Sequence, residues 1–209
     1  MSKKLTRFAA LGFIVAGFLA VAFLLPKQIA AAALQIGATA PPFELKNVNG
    51  SMTSLSGSAG KLGTLVLFTC NHCPFAIAYE DRLIALANEY QTKGVNFIAI
   101  SPNDPKIKPE DSFEEMQKRA KEKNFPFPYL INEDSKIATA YGASRTPEVF
   151  LLDKSMKVVY AGRIDDNTEA SEVKEHSLSN ALAKLVEGNA ASIDPKVTKA
   201  FGCTIKFRK

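Results

Sequence analysis

Tryptophan is absent from this chain of 209 residues, and metal-ligating side chains are scarce: two histidines, three cysteines and four methionines. Without tryptophan, no motif that sets an indole beside a reactive cysteine is possible. A structural zinc site needs four nitrogen or sulfur ligands, usually from two paired motifs. Beyond Cys70 and Cys73, only His72, His176 and Cys203 remain, widely separated apart from His72. No metal or cofactor is therefore expected. Met52 is the one methionine between the N-terminal segment and Cys70, and no Met/His-rich tract follows. A copper(I)-binding module would lack its usual soft ligands. No basic stripe with interleaved aromatics occurs, which excludes a nucleic-acid surface. The formal charge of +5 comes mostly from the first 33 residues, which hold Lys3, Lys4, Arg7 and Lys27 and no acid. The remainder carries 22 basic against 21 acidic residues. Lys206, Arg208 and Lys209 read as a solvated tail. Repeats and low-complexity linkers are also missing, so residues 34–209 are expected to form one domain.

Residues 1–33 read as a targeting segment. Lys3, Lys4 and Arg7 form a charged start, residues 8–25 are uncharged and apolar, and Pro26 breaks the run. Ala30-Ala31-Ala32-Ala33 offers a small-residue cleavage site. The apolar run is 18 residues long, close to the ~20 that span a bilayer. An uncleaved membrane anchor with its basic end inside is the alternative to a signal peptide; the cleavage site favours the signal peptide. Either way the domain is exported, to the periplasm or the outer face of the membrane. In such an oxidising compartment paired cysteines are disulfides unless something reduces them.

Cys70-Asn71-His72-Cys73-Pro74 follows the apolar run 64–69, which reads as a buried strand, and leads into a helical stretch reaching about Tyr90. At such a strand-to-helix turn the first sulfur is expected over the unpaired N–H groups of the helix. Those groups and the helix dipole stabilise a thiolate. The second sulfur, one turn later, can close a disulfide, and His72 can add a hydrogen bond or charge. The pattern reads as a redox site, with a structural disulfide and half of a metal site as the competing readings.

Alternating patterns organise the rest. Residues 40–46 enter extended, Asn49-Gly50 makes a turn and 52–55 return, which predicts a hairpin. The helix after the motif carries Ile77, Leu83, Ile84, Leu86 and Ala87 on its apolar side and stops at Gly94. Residues 95–100 form a second buried strand, parallel to the first through a right-handed crossover. Ser112 with Glu115 predicts a capping box for a helix through about Lys123. Strands over 127–131, 148–153 and 158–162, a short helix over 135–141 and a last helix over 175–187 complete an α/β sandwich with a mixed sheet.

That order, with Thr146-Pro147 before a strand, resembles the thioredoxin fold: a three-layer sandwich with a mixed central sheet and an N-terminal β-hairpin. The entry Ala40-Pro41-Pro42-Phe43-Glu44-Leu45, the Asn-Gly turn and Gly60-Lys61 are similar to the redoxin branch. That branch includes the alkyl hydroperoxide reductase/thiol-specific antioxidant group. The stretch Phe68-Thr69-Cys70-Asn71-His72-Cys73-Pro74-Phe75 resembles a peroxiredoxin-like subfamily. So do Glu80-Asp81-Arg82-Leu83, Pro126-Phe127-Pro128-Tyr129-Leu130, Gly162-Arg163-Ile164-Asp165-Asp166 and Gly202-Cys203-Thr204-Ile205-Lys206.

The resemblance implies a thiol–disulfide oxidoreductase. Its substrates would be protein or small-molecule thiols and disulfides, and it would need a redox partner protein. Cys70 would be the more exposed nucleophile and Cys73 the covered resolving sulfur. His72 matches the histidine of disulfide oxidases with a Cys-Pro-His-Cys site, where it stabilises the reduced thiolate. Pro147 would be cis against the disulfide, exposing the backbone of Thr146 to an extended substrate. Two departures weaken a thiol peroxidase reading with Cys70 as the peroxidatic cysteine: Leu67 replaces a threonine and Gly63 a proline. Strand 64–69 also lacks the buried acid that thioredoxins use as a proton acceptor. Asn103 and Asp104 could line the site, while Arg163, Asp165 and Asp166 read as a surface ion pair or hairpin support. Cys203 is either a buried space-filler or a third redox cysteine on a tail that returns to the site.

Overall fold

The structure, a computed structural model, describes residues 34–208. The expected leader, residues 1–33, lies outside them, and no described helix is long and apolar enough to cross a membrane. In chain order the first half comprises β1 (Glu44–Asn47), β2 (Met52–Ser54), β3 (Gly63–Phe68), α1 (Pro74–Thr92) and β4 (Val95–Ser101). It is followed by α2 (Phe113–Glu122), β5 (Tyr129–Ile131), α3 (Lys136–Tyr141), β6 (Arg145–Thr146) and β7 (Glu148–Asp153). β8 (Val158–Gly162), α4 (Ser177–Val186) and β9 (Cys203–Thr204) close the chain.

The most apolar strands take the centre. β3 is buried at every position and β4 at all but Asn96, as strands covered on both faces must be. They run parallel, from Gly63 opposite Val95 to Phe68 opposite Ile100. β5 adds in parallel to β4, while β7 and β8 extend the other side antiparallel. With the β1–β2 hairpin the mixed sheet has the order β2-β1-β5-β4-β3-β7-β8. The period-two alternation sorts its side chains into two layers of core. Leu65, Leu67, Phe97, Ala99, Val149 and Leu151 face α1 and α4. Val66, Phe68, Ile98, Ile100, Phe150 and Leu152 face α3 and the entry segment with Ala40 and Phe43. The expected three-layer sandwich is the fold observed.

Three local expectations are corrected. The buried face of α1 carries Ala76, Tyr79, Glu80, Leu83, Ala87 and Tyr90, whereas Ile77 is 40% exposed. The helix has apolar residues on more than one side, and two aromatics bury more surface than one isoleucine. Glu80 is tolerated there because Arg119 of α2 grips both its oxygens, at 2.8 and 2.6 Å. Ser112 is the N-cap of α2 but makes no capping side-chain bond. Its own N–H donates to Pro109 O and Glu115 pairs with Lys118, so the Glu115-to-Ser112 half of the expected capping box is not formed either. β5 starts only at Tyr129, because Pro128 has no N–H to contribute.

Candidate active site

The ends of β3 and β4, the loop before β7 and the C-terminal tail meet at one end of the sheet. Cys70 sits just past β3 and is 2% exposed; Cys73, at 0%, is the N-cap residue of α1. The helix thus begins three residues later than expected. Pro74 explains the shift: its fixed φ suits the first helical position, and its ring pushes the residue before it into extended backbone. Cys73 accordingly has φ −79° and ψ 117°. The helix N-terminus therefore favours Cys73 rather than Cys70, and neither sulfur is the exposed one foreseen for Cys70.

Both sulfurs rest on Thr146. Cys70 Sγ is 3.1 Å from Thr146 Oγ1, and the Cys73 thiol donates to Thr146 O at 3.1 Å. They are also hydrogen-bonded to each other, and this contact separates their acidities. It lowers Cys73 to about 4 against burial, helped by the Cys203 side chain and the N–H groups of Ala76 and Cys203. Cys70 is pushed up, first by the same contact, then by burial and the charge of Asp111. Of the two sulfurs Cys73 is therefore the more acidic and Cys70 the less.

The dipeptide between the cysteines is pinned by a residue the sequence reading passed over. Asp111, fully buried at the end of the short 3-10 turn Pro109–Asp111, receives four N–H groups. Its Oδ1 accepts from the backbone of Asn71 at 2.7 Å and of His72 at 3.1 Å. Its Oδ2 lies 2.6 Å from His72 Nδ1 and 2.7 Å from Asn103 Nδ2. Asn71 is held further by Glu110 O and by the Tyr129 hydroxyl. Cys70 Sγ, a His72 ring nitrogen and an Asp111 oxygen lie within 4.8 Å of one another. His72 can thus share a ligand-sized space with a cysteine of its own motif. The Asp111 oxygens are, however, already taken by donors. A buried acid does stand beside the pair, on the Cys70 side, but it comes from a neighbouring loop and not from β3. A signal was present: the loop lies past the C-terminal end of a parallel strand, where such sheets place functional groups.

The Thr146–Pro147 bond is cis. Glu148, buried and raised in pKa mainly by that burial, accepts the N–H groups of Ser144 and Arg145 and fixes the bend before it. Thr146 is not open to a substrate strand. It is 0% exposed, and its backbone pairs with the chain's own tail, β6 with β9, Thr146 opposite Cys203. Gly202 makes the approach possible: a Cβ there would sit 2.1 Å from Thr146 O, and its φ of +149° suits glycine. Asn103 belongs to the site, since its Oδ1 also accepts Lys206 N at 2.7 Å. Asp104 serves the tail, its N–H donating to Lys206 O.

The remaining candidates lie outside this network. Arg163 pairs with Glu175 and with Ser177 Oγ, and Asp165 pairs with Arg82, which also binds the carbonyls of Asn167 and Thr168. They brace the segment after β8. His176 is the N-cap residue of α4. A cleft of about 680 Å³ between α4 and residues 192–195 is lined by none of the cysteines.

Known proteins resemble this chain in sequence and in fold. The AhpC/TSA family model matches residues 36–161. The thiol-disulfide oxidoreductase ResA of Geobacillus thermodenitrificans is 30% identical over 129 residues, which are 60% of this chain and 68% of that protein. The crystal structure of an uncharacterized conserved protein from Geobacillus kaustophilus superposes with a TM-score of 0.79 at 39% identity. It covers 84% of this chain and 93% of that one. The thioredoxin domain of a thiol-disulfide oxidoreductase from Bacteroides vulgatus shares the fold, with TM-score 0.59 at 22% identity, over 74% of this chain and 99% of that one. By its match over residues 36–161 and its likeness to the Geobacillus thermodenitrificans enzyme, the chain belongs to the AhpC/TSA family and is an oxidoreductase of thioredoxin-like fold.

Proposed function

We propose that the chain is a thiol–disulfide oxidoreductase working outside the cytoplasm, with Cys70 and Cys73 as the pair that cycles between dithiol and disulfide. The observation that carries this reading is that both buried sulfurs rest on one residue, Thr146, Cys70 on its hydroxyl and Cys73 on its carbonyl oxygen. Two thiols held side by side are the reduced half of a dithiol couple, and removal of two protons and two electrons closes the S–S bond. The asymmetry foreseen between the cysteines is kept with its sense reversed, Cys73 being the more acidic sulfur. His72 and Pro147 hold the pair in place, and Thr146 binds both sulfurs. The likeness to the thiol-disulfide oxidoreductase of Geobacillus thermodenitrificans supports the same chemistry. Export rests on the charged, apolar and small-residue order of residues 1–33.

Equilibration of the protein in dithiothreitol buffers, with trapping of thiols and mass analysis, tests the pair. A reversible Cys70–Cys73 disulfide is expected; its absence at every ratio would remove the reading. Cell fractionation with and without residues 1–33 tests the location, and protein remaining in the cytoplasm with the leader intact would refute export. A thiol peroxidase is the second reading, favoured by the match to the AhpC/TSA family. Against it stand the raised pKa of Cys70 and the presence of Leu67 and Gly63 in β3. Stopped-flow consumption of hydrogen peroxide no faster than by free cysteine would dismiss it.

A further inference from the structure

Cys203 stands in a place that invites a third role. Both sulfurs of the proposed pair are buried, at 2% and 0% exposure, whereas Cys203 is only half-buried. A protein disulfide approaching from solvent meets Cys203 first. The Cys203 side chain packs against the Cys70, Cys73 and Ala76 cluster. Cys73 thus touches a sulfur within its own motif and a second one from the tail.

The tail is built to hold this contact. Arg145 Nη1 donates to Gly202 O at 2.9 Å, and the ladder sets Thr204 opposite Arg145 and Cys203 opposite Thr146. Ile205 N donates to Ser144 O and its side chain is buried against the sheet. Lys206 N reaches Asn103 Oδ1, the same amide that binds Asp111, so the tail is tied to the network around the pair. Phe201 packs against the rings of Phe75 and Tyr79 on α1. A segment that merely covered the pair would need no sulfur at the position opposite Thr146.

We propose that Cys203 is a third redox cysteine, the port through which external disulfides and thiols exchange with the buried Cys70–Cys73 pair. The inference rests on the reading of that pair given above. With an external disulfide as oxidant, Cys203, whose pKa burial and the neighbouring Cys73 push up to about 11, releases its proton and attacks one sulfur of it as the thiolate. A mixed disulfide forms, and the first external thiolate leaves. Cys73 then attacks Cys203 Sγ, forming Cys73–Cys203 and expelling the second external thiolate. Cys70 attacks Cys73 Sγ, closing Cys70–Cys73 and returning Cys203 as a thiolate. Two protons, from the pair, end on the two external thiols, and two electrons pass from the pair to the external disulfide. Each exchange is reversible, so an external dithiol as reductant runs the same steps backwards. The acidity of Cys73 suits it to the middle position, where it is attacking group in one step and attacked sulfur in the next.

Two variants test the relay. In C70S, oxidised with diamide, peptide mapping by mass spectrometry is expected to find a Cys73–Cys203 disulfide. In C203S and C203A, the Cys70–Cys73 disulfide should still form. Their rate of exchange with a protein disulfide, reduced insulin chains being the readout, should fall about tenfold or more, as expected when the accessible attacking thiol is removed. Unchanged insulin rates in both Cys203 variants, or no Cys73–Cys203 link in C70S, would overturn the relay while leaving the Cys70–Cys73 pair intact. Failure of the wild-type protein to form Cys70–Cys73 would instead strike the underlying reading.

Discussion

The imidazole of His72 and the carboxylate of Asp111 meet at 2.6 Å beneath the cysteine loop, with the carboxylate fully buried. Asp111 also collects the N–H groups of Asn71, His72 and Asn103, so one side chain fixes both the backbone of the dipeptide and its ring. Its charge faces Cys70 and raises that thiol's pKa. The loop after β4 thereby sets both the shape and the charge balance of a motif lying almost forty residues earlier.

Removing that charge should free Cys70. Asp111→Asn keeps an acceptor for the loop N–H groups and lowers the Cys70 pKa, so its alkylation by iodoacetamide at neutral pH should quicken. Asp111→Ala should instead destabilise the fold by about 3 kcal/mol, because buried donors lose a charged acceptor. Urea melts and pH-dependent alkylation separate the two effects. An Asn variant with unaltered Cys70 reactivity would show that the carboxylate acts only as a peg.

The depressed pKa of Cys73 makes stability pH-dependent in the reduced protein. Folded, it titrates near 4; its ordinary value is 9.0. Between those values the unfolded chain holds a proton that the folded chain does not, so stability rises with pH from 4 to 9 and the gain is lost as pH falls through 4. Cys70, raised above its ordinary value, adds nothing in that window. The stability gap between the reduced protein and C73S should widen steadily from pH 5 to pH 8 in denaturant titrations. A flat gap would mean that Cys73 is a thiol throughout.

His72→Gln should make the disulfide harder to reduce. An imidazole nitrogen within 4.8 Å of Cys70 Sγ can favour the reduced form through a hydrogen bond to sulfur, so its loss shifts the balance towards the oxidised one. A potential lower by about 30 mV, a tenfold change in the equilibrium, is the expected scale. Equilibration against glutathione reads it directly, and an unchanged potential would reduce His72 to a support for the loop.

Much of this was legible in the sequence, and the misses share a cause. The central strands, the motif and the cis Thr146–Pro147 bend follow from apolar runs, spacing and resemblance. The start of α1 was misread because the motif drew attention to Cys70, while Pro74 dictates the local backbone. Asp111 and the second role of Asn103 were hidden because their partners lie about forty and a hundred residues away, a relation that no local pattern carries. The open strand edge at Thr146 was inferred from the thioredoxin fold in general, but this chain fills it with its own last residues. Only the short alternation around Cys203 hinted that the tail would dock.

That docking depends on the glycine before Cys203. In Gly202→Val a side chain would have to occupy space 2.1 Å from Thr146 O and 3.3 Å from Pro147 Cδ, on a backbone whose φ of +149° already disfavours it. Backbone at Thr146 cannot yield cheaply, because its carbonyl and hydroxyl also hold the two sulfurs. The tail should therefore leave β6. Native-state alkylation should then label Cys203 rapidly and also reach Cys70 and Cys73, which the tail now covers. The sheet itself is untouched by the change, so the loss of stability should stay near 1–3 kcal/mol, roughly the cost of one strained position and its lost contacts. Labelling of all three cysteines at wild-type rates would show that the tail holds its place without the close approach at Gly202.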